Sequence, residues 1–173
     1  MKKAALELSA NIIVVIIISV IIVGLGIMFV FNIVKQASNL EQQVMDQTRE
    51  EMEQALASGD VKVLVPNNLK QTEKGSAIFG IGIFNEIPNA AQSDFTLAVS
   101  DPMYYETPSA EGVQKSAQIA YDENAVSIKK NEYALKLVII KLPENAASGN
   151  YVFTVTVNNN GNVYDVKQFI AKV

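Results

Sequence analysis

Twenty consecutive residues, Ile12 to Phe31, carry no charge and read IIVVIIISVIIVGLGIMFVF. Only Ser19, Gly24 and Gly26 interrupt the large aliphatic and aromatic side chains. At about 1.5 Å per residue, a helix of this length is about 30 Å long, close to the thickness of a bilayer core. Ile and Val favour strand in water. In lipid, a single segment satisfies its backbone only as a helix. The run therefore predicts a transmembrane helix. It is either a plain single-pass anchor or a helix that also packs against copies of itself through Ser19, Gly24 and Gly26.

The flanks predict an orientation. Lys2 and Lys3 precede the run, and after Lys35 the charges are mostly acidic: Glu41, Asp46, Glu50, Glu51 and Glu53. Basic residues stay in the cytoplasm, so the expectation is a chain in the cell membrane with a cytoplasmic N-terminus and an extracellular C-terminal domain. The run is too long for the apolar core of a cleaved signal peptide, and no small-x-small site follows it. An uncleaved anchor, or a cut before the run, fits better. Glu7 lies in the first helical turn, where an acid interacts favourably with the helix dipole.

Beyond Phe31 the apolar residues thin to a stripe. Leu40, Val44, Thr48, Met52, Ala55 and Leu56 recur at three- and four-residue steps among polar residues, the spacing of one helix face. Gly59 suits the left-handed position that ends a helix. The predicted organisation is a basic leader over 1–11, a transmembrane helix over 12–34 and an amphipathic helix over 35–58. Leu40, Val44, Met52 and Leu56 are expected to face the domain that follows, or neighbouring helices.

From Val61 the period changes from helical spacing to alternation. In Ser76 to Asn85, Ala77, Phe79, Ile81 and Ile83 share one face, and Ile78, Gly80, Gly82 and Phe84 share the other. A strand apolar on both faces is covered on both sides. Its two glycines either admit the amphipathic helix closely or mark a bulge. Further alternations run over Phe95–Val99, Ile119–Tyr121, Ala125–Ile128, Tyr133–Ile140, Tyr151–Val157 and Val163–Val173. Asn160-Gly161 signals a hairpin turn. Asp101 to Gln118 reads as a long irregular loop, in which adjacent Tyr104 and Tyr105 point opposite ways. One of them packs on the domain and the other is a candidate surface contact. Seven or eight short strands over 61–173 predict an immunoglobulin-like antiparallel β-sandwich. The predicted fold class is α+β: a long N-terminal helix, transmembrane then amphipathic, followed by that sandwich.

The composition excludes several kinds of chemistry. The net charge of −4 argues against a nucleic-acid partner. The chain has no Cys, His or Trp, which removes disulfides, thiolate metal sites, the commonest general base and the commonest metal ligand. No nucleophile elbow, phosphate loop or zinc motif occurs. Asp122-Glu123-Asn124 lacks the spacing of a calcium loop and reads as a turn. The expectation is a protein with no enzymatic activity, cofactor or metal.

Lys2-Lys3-Ala4-Ala5-Leu6-Glu7-Leu8-Ser9, the Ile/Val-rich span, the amphipathic extension and the all-β domain together resemble archaeal type IV pilin-like proteins, a group that includes archaellins. The layout match is specific over Met1 to about Ser58 and only architectural beyond it. The resemblance implies a prepilin peptidase-like enzyme that cuts after Lys3 or Ala4, leaving Ala4 or Ala5 as the first residue. Glu7 then stands fourth or third, where the family usually places an acid fifth. It also implies that the apolar helices leave the membrane and bundle into a filament core. The expected function is a self-associating structural subunit of an archaeal extracellular filament. The alternative is an uncleaved, membrane-anchored Ig-like adhesion or envelope-associated binding module.

Overall fold

The computed structural model describes residues 2–58, 61–72 and 75–173; within the helix, side chains are described for 15–28 and 39–57. The chain divides into two compact units, Met1–Leu40 and Glu41–Val173. One helix, α1, runs over Lys2–Ser58.

In the first unit the described part of α1 is apolar around its whole circumference. Val15, Ile16, Ile17, Ile18, Val20 to Val23, Leu25, Ile27 and Met28 are each 50–66% exposed. Ser19 turns its hydroxyl inward and donates to the Val15 carbonyl oxygen at 2.7 Å, which satisfies its one donor locally. A Cβ added to Gly24 or Gly26 would meet nothing within 4 Å.

Eleven strands follow among the described residues. They are β1 (Val63–Leu64), β2 (Leu69–Gln71), β3 (Ser76–Phe84), β4 (Gln92–Val99), β5 (Met103–Tyr105), β6 (Val113–Gln114), β7 (Gln118–Tyr121), β8 (Val126–Lys129), β9 (Tyr133–Lys141), β10 (Asn150–Asn159) and β11 (Asn162–Lys172). One sheet has the order β1-β3-β9-β7, and the other has β2-β11-β10-β4-β8 with β5 and β6 attached beside β10. The two inner faces close over one core. Phe79 of the first sheet meets Phe169 of the second with ring centroids 4.4 Å apart, and Phe169 stacks on Phe153 at 5.3 Å. All three rings are fully buried. Asn160 and Gly161 hold φ values of 48° and 79°, the left-handed pair that a tight β10–β11 hairpin requires.

Two expectations are corrected. The predicted fold class, α+β with a transmembrane-then-amphipathic helix and an all-antiparallel sandwich, gives way to a mainly β architecture. Among the described residues no helix is long and apolar enough to cross a membrane. The sandwich is also not wholly antiparallel, because β2 pairs with β11 in parallel. The predicted placement in the cell membrane, N-terminus inside and C-terminal domain outside, rested on that span and is corrected with it.

The stretch read as a loop, Asp101 to Gln118, is also more ordered than expected. β5 and β6 form a small antiparallel pair within it, and β5 extends the larger sheet beside β10. The strand β2 has no alternating signature. It is held by backbone bonds, from the Ile170 amide to the Asn68 carbonyl at 2.6 Å and from the Thr72 amide to the Lys172 carbonyl at 2.8 Å.

Candidate assembly surfaces

Within the second unit, residues 41–58 of α1 lie against the outer face of β3. Alternation along β3 sends Ala77, Phe79, Ile81 and Ile83 into the core and leaves Gly80 and Gly82 facing the helix. A Cβ on Gly82 would stand 2.8 Å from the Met52 sulfur. A Cβ on Gly80 would collide with the Thr48 hydroxyl. Thr48 and Met52, one turn apart, are 1% and 0% exposed. The buried Thr48 hydroxyl donates to the Val44 carbonyl oxygen at 2.6 Å, so the close approach leaves no polar atom unpaired. Tyr133, at the start of β9, donates from its phenol to the Glu53 carboxylate at 3.1 Å. Burial, and then that carboxylate, raise the phenol's pKa above its ordinary value.

Beside this seat lies a groove of about 510 Å³. Glu41 and Met45 form its helix wall, and Leu135, Leu137, Ile139 and Ala120 line its sheet side. At its rim Lys136 forms an ion pair with Asp122 and donates to the Asn124 carbonyl at 3.0 Å. The register pairs Lys136 with buried Ile81, so its stem lies on the core side of β9 and the side chain is only 11% exposed. Lys136 and then Asn124 hold the Asp122 carboxyl below its usual pKa. On the other edge, Lys70 donates to the Ile78 carbonyl oxygen at 2.6 Å and sits 5.3 Å from the centre of the Phe79 ring. Burial lowers the pKa of that ammonium, with Glu51 opposing.

The sequence-predicted positions are distributed as follows. Lys2, Lys3, Ala4, Ala5 and Glu7 lie outside the residues whose side chains are described. Ser19, Gly24 and Gly26 fall within the exposed apolar stretch. Leu40 is 54% exposed, Val44 and Leu56 are half-buried, and Met52 is fully buried. Tyr104 and Tyr105 are both half-buried. Tyr104 packs on Tyr151 with ring centroids 5.0 Å apart and donates to the Ser148 carbonyl oxygen at 3.0 Å. The Tyr105 ring lies over Gly112, where an added Cβ would stand 2.8 Å from it. Spacing along the chain carries no sign of the Tyr133–Glu53 contact or the Asp122–Lys136 pair, since each partner comes from a different element. Among the described residues no cluster of three or more acids could hold a metal ion.

No protein-family model matches the chain, and no curated protein matches it. Solved structures match about two thirds of the chain. An MSP family member of C. elegans, WR4, aligns at 9% identity with a TM-score of 0.41, covering 66% of this chain and 99% of that one. A PapD-like domain of human CEP192 aligns at 14% identity and 0.39, covering 64% and 84%. MyfA, the major subunit of Myf fimbriae from Yersinia enterocolitica, aligns at 12% identity and 0.35, covering 65% and 98%. At these TM-scores the likenesses carry no conclusion about family or function.

Proposed function

We propose that this chain is a structural subunit of a pilus-like filament of the archaeal type IV kind, with the apolar helices of many copies bundled as its core and the β-domains outside. The observation that supports this is the stretch Val15 to Met28. A helix apolar on every side, each large residue at least half exposed, has a strong drive to be covered. Copies of the same helix supply matching cover in the right stoichiometry. Gly24 and Gly26, with open space around them, let such neighbours approach closely. The basic leader Lys2-Lys3 and the acid Glu7 add the parts a processed subunit uses. Cleavage by a prepilin peptidase-like enzyme at Lys3 or Ala4 exposes a new α-amino group. On a neighbouring copy that amine pairs with the Glu7 carboxylate, which is otherwise costly to desolvate.

Isolation of the protein from its native cells, with determination of its N-terminal residue and electron microscopy, tests this. The expected result is a chain beginning at Ala4 or Ala5 within filaments, and a Glu7→Gln variant that folds but assembles poorly. An unprocessed chain that stays dispersed overturns the reading.

A further inference from the structure

Residues 41–58 of α1 cover only part of the outer face of the four-stranded sheet. Thr48 and Met52 occupy β3. On β9, Leu137 pairs with Gly80 and Ile139 with Ile78, so both point to the same outer face as the glycines. Ala120 of β7 pairs with Ile139 and carries that face to the sheet edge. These residues stay half-buried or exposed, and the groove of about 510 Å³, walled by Glu41 and Met45 of the helix, lies over them.

We propose that this groove receives the apolar stretch Val15 to Met28 of a second copy. The proposal rests on the filament reading and names the surface of the sandwich that the helix engages. Three observations select that occupant. Ala120, Leu135, Leu137 and Ile139 give the sheet side of the groove an aliphatic floor, with Tyr121, Asp122 and Lys136 beside it, and the segment offered by the same chain is an uncharged aliphatic helix exposed at 50–66%. A helix satisfies its own backbone, so it enters an apolar groove without burying unpaired amides, whereas an extended peptide does not. The rim charges are already accounted for on the sheet side, where Lys136 neutralises Asp122. An uncharged occupant therefore meets no unpaired ion on the sheet side, and the acid left on the lining, Glu41, stands on the helix wall. The two surfaces are different parts of one chain, a cylinder and a groove. Their contact is heterologous, and it propagates from copy to copy wherever the rotation between copies does not close.

The chain has no cysteine, which makes thiol pairing a clean test. Full-length Leu137→Cys protein is co-assembled with four single variants that scan one helical turn, Val20→Cys, Ile21→Cys, Ile22→Cys and Val23→Cys. Ser127→Cys, on the larger sheet, replaces Leu137→Cys as the control. After mild oxidation of assembled material, the expected result is a disulfide heterodimer between position 137 and at least one scanned position, several-fold above the Ser127 control. Assemblies that form but link only helix to helix, or link position 127 equally well, overturn the proposal and leave the filament reading standing. Failure of the parent chain to assemble overturns both.

Discussion

Thr48 lies against Gly80 so closely that no side chain fits between them: a Cβ on that glycine would occupy the position of the threonine hydroxyl. Gly80→Ala is therefore expected to lift the helix off β3 and destabilise the Glu41–Val173 unit by about 1–3 kcal/mol, the usual cost of overpacking. Thr48→Gly in the same chain should recover part of the loss, and the coupling in a double-mutant cycle should exceed ~0.5 kcal/mol. Additive effects in thermal or denaturant unfolding would contradict this packing.

The contact shows how far the sequence could be read. Alternation along Ser76 to Phe84 marks a strand covered on both faces, and two glycines on one face leave room for a close neighbour. The four-residue spacing of Val44, Thr48, Met52 and Leu56 marks a stripe, and Thr48 and Met52 on it meet the strand. Both signals are local and periodic. Non-local features left no such trace. β2 is held by backbone bonds to β11, about a hundred residues later. The β5–β6 pair takes its order from Tyr104 against Tyr151 and from Tyr105 over Gly112. The Tyr133–Glu53 contact joins the C-terminal end of the helix to the start of β9. The apolar run Ile12 to Phe31 has the hydropathy of a membrane span, and hydropathy alone does not distinguish lipid from another apolar partner.

Met52 packs at the centre of the seat with no exposed surface. Met52→Lys should destabilise the domain by about 3–5 kcal/mol, through lost burial and an unpaired buried charge. Met52→Leu, which conserves volume, should cost less than about 1.5 kcal/mol. An unchanged melting temperature in the lysine variant would place the side chain outside the core.

Asp122 gives the domain an acid-sensitive contact. Its folded pKa lies below the ordinary carboxylate value of 3.8, chiefly because of Lys136. The folded state thus binds this proton less readily than the unfolded chain does. The contribution is present above the unfolded pKa and is lost as pH falls through the lower folded value. Asp122→Asn should lower the melting temperature at pH 6, and the gap from the parent should shrink as the pH is taken below 3.8. A gap constant across that range would show that the carboxylate charge contributes nothing.

Tyr104 donates its phenol proton to the Ser148 carbonyl oxygen. Tyr104→Phe keeps the ring on Tyr151 and removes only that bond, so a loss of about 1 kcal/mol is expected. Gly112→Val should displace the neighbouring Tyr105 ring instead, and raise protease cutting between β5 and β6 with little change in the melting temperature of the core. Equal cutting in parent and variant would count against the packing of Tyr105 over that glycine.

The central claim is that Val15 to Met28 is covered by copies of itself. Helical reconstruction by cryo-electron microscopy of the assembled full chain measures this directly. The account predicts rods of helix packed along the filament axis, with these residues in contact between copies and the sandwiches outside. A filament whose axis is built from the β-sandwiches, or a chain that remains monomeric with this stretch uncovered, would contradict it.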